Sequence, residues 1–249
     1  MTIDRDHWLS TIFGYDVYKA TLVKGGIENL RGELVPILEP EGQGREAFVF
    51  SRVDTEKVDN LSALTGMGFE VVDVTVTLDR GTSPALPREV TAPVKMAHVE
   101  PRHHEDVLRI AASCFQYSRF HLDPSVSDDV ANEVKRAWVS SYIQGLRGET
   151  LWLGLLDDRP VGFVAVLAQE SEDTHSMVID LIGVDRDYQG QGVGKQMIAH
   201  VIQTYAQECD RFLVGTQVAN TRSMRLYERC GFRVVTSAYM LHLHKITEG

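Results

Sequence analysis

A glycine-rich stretch is the clearest chemical pattern in this sequence. Residues 185–202, DRDYQGQGVGKQMIAHVI, carry Gln189, Gly192 and Gly194 between an apolar run that predicts a strand and an amphipathic run that predicts a helix. Glycine has no Cβ, so a ligand can approach the backbone closely, and the first amides of a helix have no acceptor within it. The stretch therefore predicts a site for a phosphate-bearing ligand.

The stretch differs from the two commonest nucleotide-binding patterns. Lys195 is followed by Gln196 instead of Ser or Thr, so the run is not a P-loop. It also lacks the spacing G-x-G-x-x-G, and no Asp or Glu within a predicted strand follows at the distance that a dinucleotide-binding fold requires. The alternative is that the glycines only close a tight turn.

The pattern Gln189-x-x-Gly192-x-Gly194 after a predicted strand resembles the signature of the GNAT family of acyl-CoA transferases. The resemblance implies that acetyl-CoA, or a close acyl-CoA, is the cosubstrate and that no metal is needed. It also implies that loop amides hold the CoA pyrophosphate, while the main chain of Ile182, Gly183 and Val184 binds the pantetheine arm. The implied loop residues are Gln189, Gly190, Gln191, Gly192, Val193, Gly194 and Lys195.

The segment 220–232, NTRSMRLYERCGF, supplies the second half of the implied site. Asn220 and Tyr227 are seven residues apart, so they share one face of a helix. In the family, an Asn at this position contacts the pantetheine and a Tyr protonates the departing thiolate. A phenol with a pKa near about 10 is protonated at neutral pH and can serve as this acid. The alternatives are that Asn220 is only an N-cap and that the Tyr227 hydroxyl faces solvent.

Most of the chain further resembles those family members that acylate nucleotide-linked amino-deoxy sugars for surface polysaccharide synthesis. From this and from residue chemistry we expect Ser118, Arg119 and Phe120 to bind the acceptor, because Arg can bind phosphate with two hydrogen bonds and Phe can stack on a ring. A loop salt bridge is the alternative for Arg119. The segments that carry the resemblance are 7–14, 68–72, 114–120, 216–221 and 236–241.

The general base is the least defined of the expected groups. The resemblance implies that Asp73 takes the amine proton through water, and Asp73 lies on the polar face of an alternating strand over 71–78. Asp180 and His175 are rival candidates. A solvated strand face is the alternative for Asp73, and a transfer without any dedicated base also stays open.

The hydrophobic pattern predicts an α/β fold: a mixed sheet flanked by helices, as in the GNAT family. Proline-rich residues 81–93 predict a linker between a small acceptor-side α/β domain (1–80) and an acyl-CoA transferase domain (94–249). Segment 48–76 resembles 212–240, so the first domain is interpreted as a degenerate half-copy of the second or as converged on its shape. The alternative is that both segments merely share a common helix-glycine-strand corner. Helices are predicted over 101–115, 128–146, 190–210 and 221–230, and strands over 151–156, 161–167, 177–184, 212–218 and 232–244.

Composition excludes several classes of protein. A formal net charge of −10 argues against general nucleic-acid binding, and no apolar run approaches a membrane span. Three scattered cysteines without a pairing pattern and a polar N-terminus predict a cytoplasmic protein. The resemblance suggests a homodimer. Two other functions stay open: acylation of another amine, such as a peptide, polyamine or antibiotic, and non-catalytic acyl-CoA sensing.

Overall fold

The computed structural model describes residues 2–22, 30–38, 46–83, 94–171 and 173–245. It divides into two compact units. Unit 1 comprises 1–75, 117–131 and 236–249, and unit 2 comprises 76–116 and 132–235. Residues 84–93 of the predicted linker lie outside the described residues.

The secondary structure alternates strands and helices along most of the chain. Short 3-10 turns occupy Pro101–His103 and Arg186–Tyr188. The elements in chain order are β1 (Thr2–Arg5), α1 (His7–Phe13), β2 (Asp16–Thr21), α2 (Leu30–Leu38), β3 (Ala47–Asp54), α3 (Val58–Thr65), β4 (Glu70–Gly81), β5 (Lys95–His98), α4 (His104–Ala111), α5 (Asp128–Ile143), β6 (Thr150–Leu156), β7 (Arg159–Ser171), β8 (Thr174–Val184), α6 (Val193–Tyr205), β9 (Arg211–Gln217), α7 (Thr221–Arg229) and β10 (Arg233–Lys245).

Unit 1 is built on strands in the order β1, β2, β3, β10, β4. β2 runs parallel to β3, and β3 runs antiparallel to β10. Alternate residues of β10 between 239 and 243 pack in an apolar core with Leu34 of α2 and Leu64 of α3. Because side chains alternate along a strand, His242 and His244 lie on the opposite face of the same sheet, beside Phe48 of β3.

Unit 2 contains strands in the order β4, β9, β8, β7, β6, β5, with apolar cores on both faces. One core includes Met197 of α6 and Phe212 of β9, and the other includes Ile110 of α4 and Val139 of α5. Residues 160–166 of β7 are all buried, as expected for a strand covered on both sides.

These findings confirm the predicted α/β class: a mixed sheet flanked by helices. The matching segments 48–76 and 212–240 both fold as strand, helix, strand. The helix predicted from residue 190 begins at Val193, because Gly190 and Gly192 adopt positive φ angles that no α-helix contains. Within the described part of the chain, no helix has the length and apolar character needed to cross a bilayer.

Candidate active site

The glycine loop of unit 2 ends where helix α6 begins. Gly190 has φ +77° and Gly192, the N-cap of α6, has φ +86°; both are left-handed conformations that strain other residues. The amide of Gln196 donates to the Gly192 carbonyl at 3.0 Å, which is the first hydrogen bond of the helix. The amides of Val193 and Gly194 precede that bond and are available to an anion at the helix start.

Gln189 holds the loop through its side-chain amide. Its Nε2 donates to the carbonyl of Val184 at 3.1 Å, and its Oε1 accepts from Arg222 Nη1 on α7 at 2.8 Å. Gln191 donates from Nε2 to the carbonyl of Asp187 at 2.9 Å. Gln189 therefore acts on the loop shape, since its side chain connects the end of β8, the loop and the start of α7.

Strands β8 and β9 diverge before the loop. Their parallel pairing runs from Ser176 with Arg211 to Ile179 with Val214 and, among the described residues, goes no further. Residues 180–184 of β8 remain paired with β7, but the side that faced β9 is open. An open strand side is suited to pair with an extended chain such as a pantetheine arm. Ile182, Gly183 and Val184 lie in this open segment.

Asp180 lies where β8 and β9 diverge, and its carboxylate accepts hydrogen bonds from residues of α5 and the turn after it. The β7–β8 register shifts at this residue, which is a β-bulge. Its Oδ2 accepts hydrogen bonds from Trp138 Nε1 at 2.9 Å, Tyr142 Oη at 2.7 Å and Arg147 Nε at 2.8 Å. Burial raises the pKa of the Tyr142 hydroxyl, and the Asp180 charge raises it further. Asp180 thus anchors α5 and the turn after it to β8, which weakens its candidacy as the base.

His175 lies far from the glycine loop along β8. It is the second residue of that strand, whereas Val184 is the last, about 30 Å away at 3.3 Å per residue. Its ring contacts Glu170, and its amide donates to Asp210 Oδ2 at 2.8 Å. His175 therefore lies at the opposite end of β8 from the glycine loop, which weakens its candidacy as the base.

Tyr227 lies on α7, Asn220 lies immediately before that helix, and the two side chains differ in burial. Tyr227 is only 3% exposed, and its ring meets Phe232 edge-on at 6.0 Å between centroids. Burial raises the pKa of its hydroxyl, so the phenol stays protonated in the folded protein. Asn220 Oδ1 accepts from the Ser223 amide at 3.1 Å. Asn220 is therefore an N-cap, a role that is compatible with a ligand contact through its amide nitrogen.

The cysteines of unit 2 are weak nucleophiles. Burial raises the pKa of Cys114 to about 12 and that of Cys230 to about 11. Burial also raises the pKa of Cys209. Thiols with raised pKa values carry little thiolate at neutral pH, which favours direct transfer over a thioester on the enzyme.

Unit 1 brings together several of the residues predicted for the acceptor. The Cζ atom of Arg119 lies 3.8 Å from the centre of the Phe50 ring and 4.4 Å from that of Phe120. Burial lowers the pKa of Arg119 to about 10, against the raising influence of Asp6, Asp73 and Asp123. Arg119 thus keeps its charge at neutral pH.

Asp73 and Ser118 also lie inside unit 1. Asp73 is 6% exposed, so it does not lie on a solvated strand face. The Ser118 hydroxyl and Nδ1 of His121 share a hydrogen bond of 2.6 Å, so Ser118 stabilises the turn that carries Arg119. Phe120 is 3% exposed and packs against Phe13.

Sequence reasoning missed three residues of unit 1 that contact one another, namely Asp123, His242 and His244. Asp123 Oδ2 contacts His242 Nδ1 at 2.5 Å and His244 Nε2 at 2.7 Å. Burial alone raises the pKa of Asp123, but its hydrogen bonds outweigh burial and hold that pKa below the usual range. The available signal was the pattern His-x-His on a strand, which places two imidazoles on one face.

The strand divergence, the glycine loop and the tyrosine on α7 are the features that the sequence analysis expects of an acyl-CoA transferase. Residues 105–232 match the family described as Acetyltransferase (GNAT) family. The chain therefore belongs to the GNAT acetyltransferase family, and it is an acyl-CoA-dependent N-acetyltransferase.

Two curated relatives and one solved structure show how far the similarity extends. The spore coat polysaccharide biosynthesis protein SpsD of Bacillus subtilis is 30% identical over 145 residues, covering 58% of this chain and 48% of that protein. The dTDP-fucosamine acetyltransferase of Escherichia coli O6:H1 is 22% identical over 237 residues, covering 94% and 95%. A GCN5-related N-acetyltransferase from Sphaerobacter thermophilus shares the fold with a TM-score of 0.60 at 14% identity, covering 98% of this chain and 76% of that one.

Proposed function

We propose that this enzyme transfers an acetyl or short acyl group from acyl-CoA to the amine of a nucleotide-linked amino-deoxy sugar, for surface polysaccharide synthesis. The E. coli relative, named for a dTDP-linked amino sugar, aligns over nearly the whole of both chains. The B. subtilis relative is named for polysaccharide biosynthesis and aligns over about half its length. The agreement of the two names supports a sugar acceptor.

The proposal that the acceptor carries a nucleotide depends on Arg119. Phe50 and Phe120 pack on the planar guanidinium, and stacking on its faces leaves its N–H edge available. Nη1 of Arg119 is buried and has no acceptor among the described residues. A buried donor without an acceptor is costly, and a phosphate oxygen would satisfy it with a charge-assisted bond. The unsatisfied donor supports an anionic group on the acceptor, which would bind Arg119 in competition with the nearby Asp6, Asp73 and Asp123.

The proposed reaction is a direct displacement at the thioester. The neutral amine nitrogen attacks the carbonyl carbon, the C–S bond breaks, and the CoA sulfur leaves as a thiolate that acquires a proton. Loop amides, from Gln189 to Lys195, hold the pyrophosphate, and the open side of Ile182 to Val184 pairs with the pantetheine arm. Asn220 supports the pantetheine from the start of α7.

We assign Tyr227 as the hydrogen-bond donor to the leaving sulfur and Asp73 as the base that accepts the amine proton. The buried phenol donates a hydrogen bond as negative charge develops on sulfur, and the charge is stabilised more strongly in a site that excludes water. Asp73, a buried carboxylate, accepts the amine proton through water. Ser118 and Phe120 shape the acceptor side by positioning Arg119.

The proposed cytoplasmic location rests on the cysteines, and the proposed assembly rests on the resemblance to acyltransferases of nucleotide-linked sugars. All three cysteines are free, which fits a reducing cytoplasm. We also propose a homodimer, which light scattering during size-exclusion chromatography would detect as twice the mass of one chain.

The test is release of free CoA thiol with a panel of amines. Purified enzyme is mixed with acetyl-CoA and, separately, 3-amino and 4-amino deoxy sugars on dTDP or UDP, a polyamine and a short peptide. We expect rapid release with one nucleotide-linked sugar only. Rapid release with the polyamine or the peptide would refute the sugar acceptor while leaving the acetyltransferase class intact.

A further inference from the structure

Unit 1 contains a compact cluster of three residues whose side chains can bind a metal ion and that the proposed acyl transfer does not use. One carboxylate oxygen of Asp123 and one ring nitrogen each of His242 and His244 all lie within 4.8 Å of one another. Asp123 is 3% exposed, His242 is 1% exposed and His244 is partly buried. Surface acidic clusters are common, whereas buried sets of two imidazoles and one carboxylate are not.

The fold itself brings the three ligands together. His242 and His244 are two apart on β10, so both rings project from the same face of the sheet. Phe48 of β3 flanks both rings, with its ring stacked on that of His244 at 4.5 Å. Asp123 lies on the segment between α4 and α5, where its Oδ1 accepts from the Ser125 amide at 2.8 Å. That bond leaves Oδ2 directed at the histidines.

Hydrogen bonds alone account for the contacts that Asp123 makes. In this metal-free, hydrogen-bonded state, each imidazole carries its proton on the nitrogen that faces Asp123. His242 Nε2 is then a buried acceptor, and it has no partner among the described residues. If a metal took the place of the two protons, His242 would move its proton to Nε2, which would again lack a partner. The tautomer change therefore adds no new unsatisfied atom at His242.

We propose that Asp123, His242 and His244 bind one borderline divalent metal ion, with Zn²⁺ as the best fit. Two imidazole nitrogens and one carboxylate oxygen form a donor set that suits zinc and ferrous ions and is poor for Mg²⁺ or Ca²⁺. Ligand atoms at hydrogen-bond separation need only small side-chain rotations to reach metal bonds of about 2.0–2.2 Å.

The expected affinity is moderate. Ligating histidines usually donate their second N–H to an acceptor, and loss of such a partner weakens metal binding by about 10- to 100-fold. Because His242 Nε2 has no partner among the described residues, we expect micromolar binding. The bound ion fastens the segment that carries Arg119 and Phe120 to β10, so it acts on order in unit 1 and does not enter the transfer reaction.

The experiment is zinc titration of the metal-free full-length chain, followed by calorimetry and metal analysis. We expect one Zn²⁺ per chain, and a loss of affinity of more than about 100-fold in Asp123→Asn and in His244→Ala, since each removes a direct ligand. His175→Ala removes a histidine that pairs with the carboxylate of Glu170 and is the matched control, which should bind normally. Equal binding by all variants, or no saturable binding by the wild type, would overturn the proposal.

A second readout uses the wild-type chain and so does not depend on how the variants fold. Long-range ¹H–¹⁵N spectra distinguish the two imidazole tautomers, and one equivalent of Zn²⁺ should shift the ring-nitrogen signals of two histidines together. Co²⁺ should give visible bands from nitrogen and oxygen ligands, without the intense charge-transfer absorption of thiolate ligands. Zinc binding with unchanged histidine signals would place the ion elsewhere and refute the site. Neither readout depends on acyl transfer.

Discussion

Arg222 Nη1 on α7 donates a hydrogen bond to Oε1 of Gln189 in the glycine loop, at 2.8 Å. The same amide donates from Nε2 to the Val184 carbonyl at the end of β8. One side chain therefore connects the open strand, the proposed pyrophosphate loop and the helix that bears Tyr227. Gln189, and not the glycines alone, therefore fixes the shape of this loop.

Replacing Gln189 should weaken acetyl-CoA binding. Gln189→Ala removes both bonds, each worth about 0.5–1.5 kcal/mol, so the dissociation constant should rise about tenfold in calorimetry. Arg222→Ala removes one bond and should have a smaller effect. Arg225→Ala, at an exposed position on the same helix, is the control. An unchanged affinity in Gln189→Ala would show that the loop keeps its shape without this side chain.

Replacing Tyr227 should slow turnover without loss of acyl-CoA affinity. Tyr227→Phe keeps the buried ring but removes the donor to sulfur, and general acids contribute about 10²- to 10⁴-fold to rate. Tyr205→Phe is the matched control, because it also deletes a buried tyrosine hydroxyl, which accepts from Trp152 Nε1 at 3.2 Å. We expect kcat to fall at least about 100-fold only in Tyr227→Phe. Equal rates in wild type and Tyr227→Phe would remove Tyr227 from the mechanism.

The dependence of kcat on pH should show that the pKa of Tyr227 is raised. Burial raises the pKa of this phenol above its ordinary value of about 10, and the donor acts while it is protonated. Because its pKa is raised, the Tyr227 hydroxyl loses its proton only at higher pH. Deprotonation of Tyr227 should therefore not lower kcat between neutral pH and about pH 10. Rates are measured at saturating substrates. A decline centred below pH 10 that disappears in Tyr227→Phe would contradict the assignment.

Gly183 should be essential for packing beneath the open strand. An added Cβ would lie 2.7 Å from Cys114 Sγ and 2.8 Å from the Phe163 ring. Gly183→Ala should therefore lower the free energy of unfolding by about 1–3 kcal/mol in urea titrations. Gly215→Ala on β9 is the control, because its nearest contact would be 4.0 Å away. Equal destabilisation by the two changes would show that overpacking is not the cause.

Local patterns predicted the strand before the glycine-rich stretch and the helix after it. The glycine loop and the strand and helix beside it are contiguous in sequence, so residue spacing alone places them. The helix start was set too early, because glycine φ angles at 190 and 192 cannot be read from hydrophobic periodicity.

Contacts between distant segments were harder to predict from one sequence. Asp123 meets His242 across 119 residues, and no spacing rule connects them. Arg147, Trp138 and Tyr142 likewise converge on Asp180 only after α5 packs on the sheet. Asp73 and Arg119 were predicted one by one, but their electrostatic interaction depends on the tertiary structure of unit 1.

The most direct test of the proposed function compares kcat/KM for a nucleotide-linked amino sugar with that for the same amino sugar without its nucleotide. If Arg119 binds the diphosphate, the wild type should prefer the nucleotide-linked form by about 10- to 100-fold or more, the worth of a charged hydrogen bond at about 1.5–3 kcal/mol. Arg119→Met should lose this preference and keep its affinity for acetyl-CoA. Equal kcat/KM values for the two sugars in the wild type would contradict the proposed acceptor.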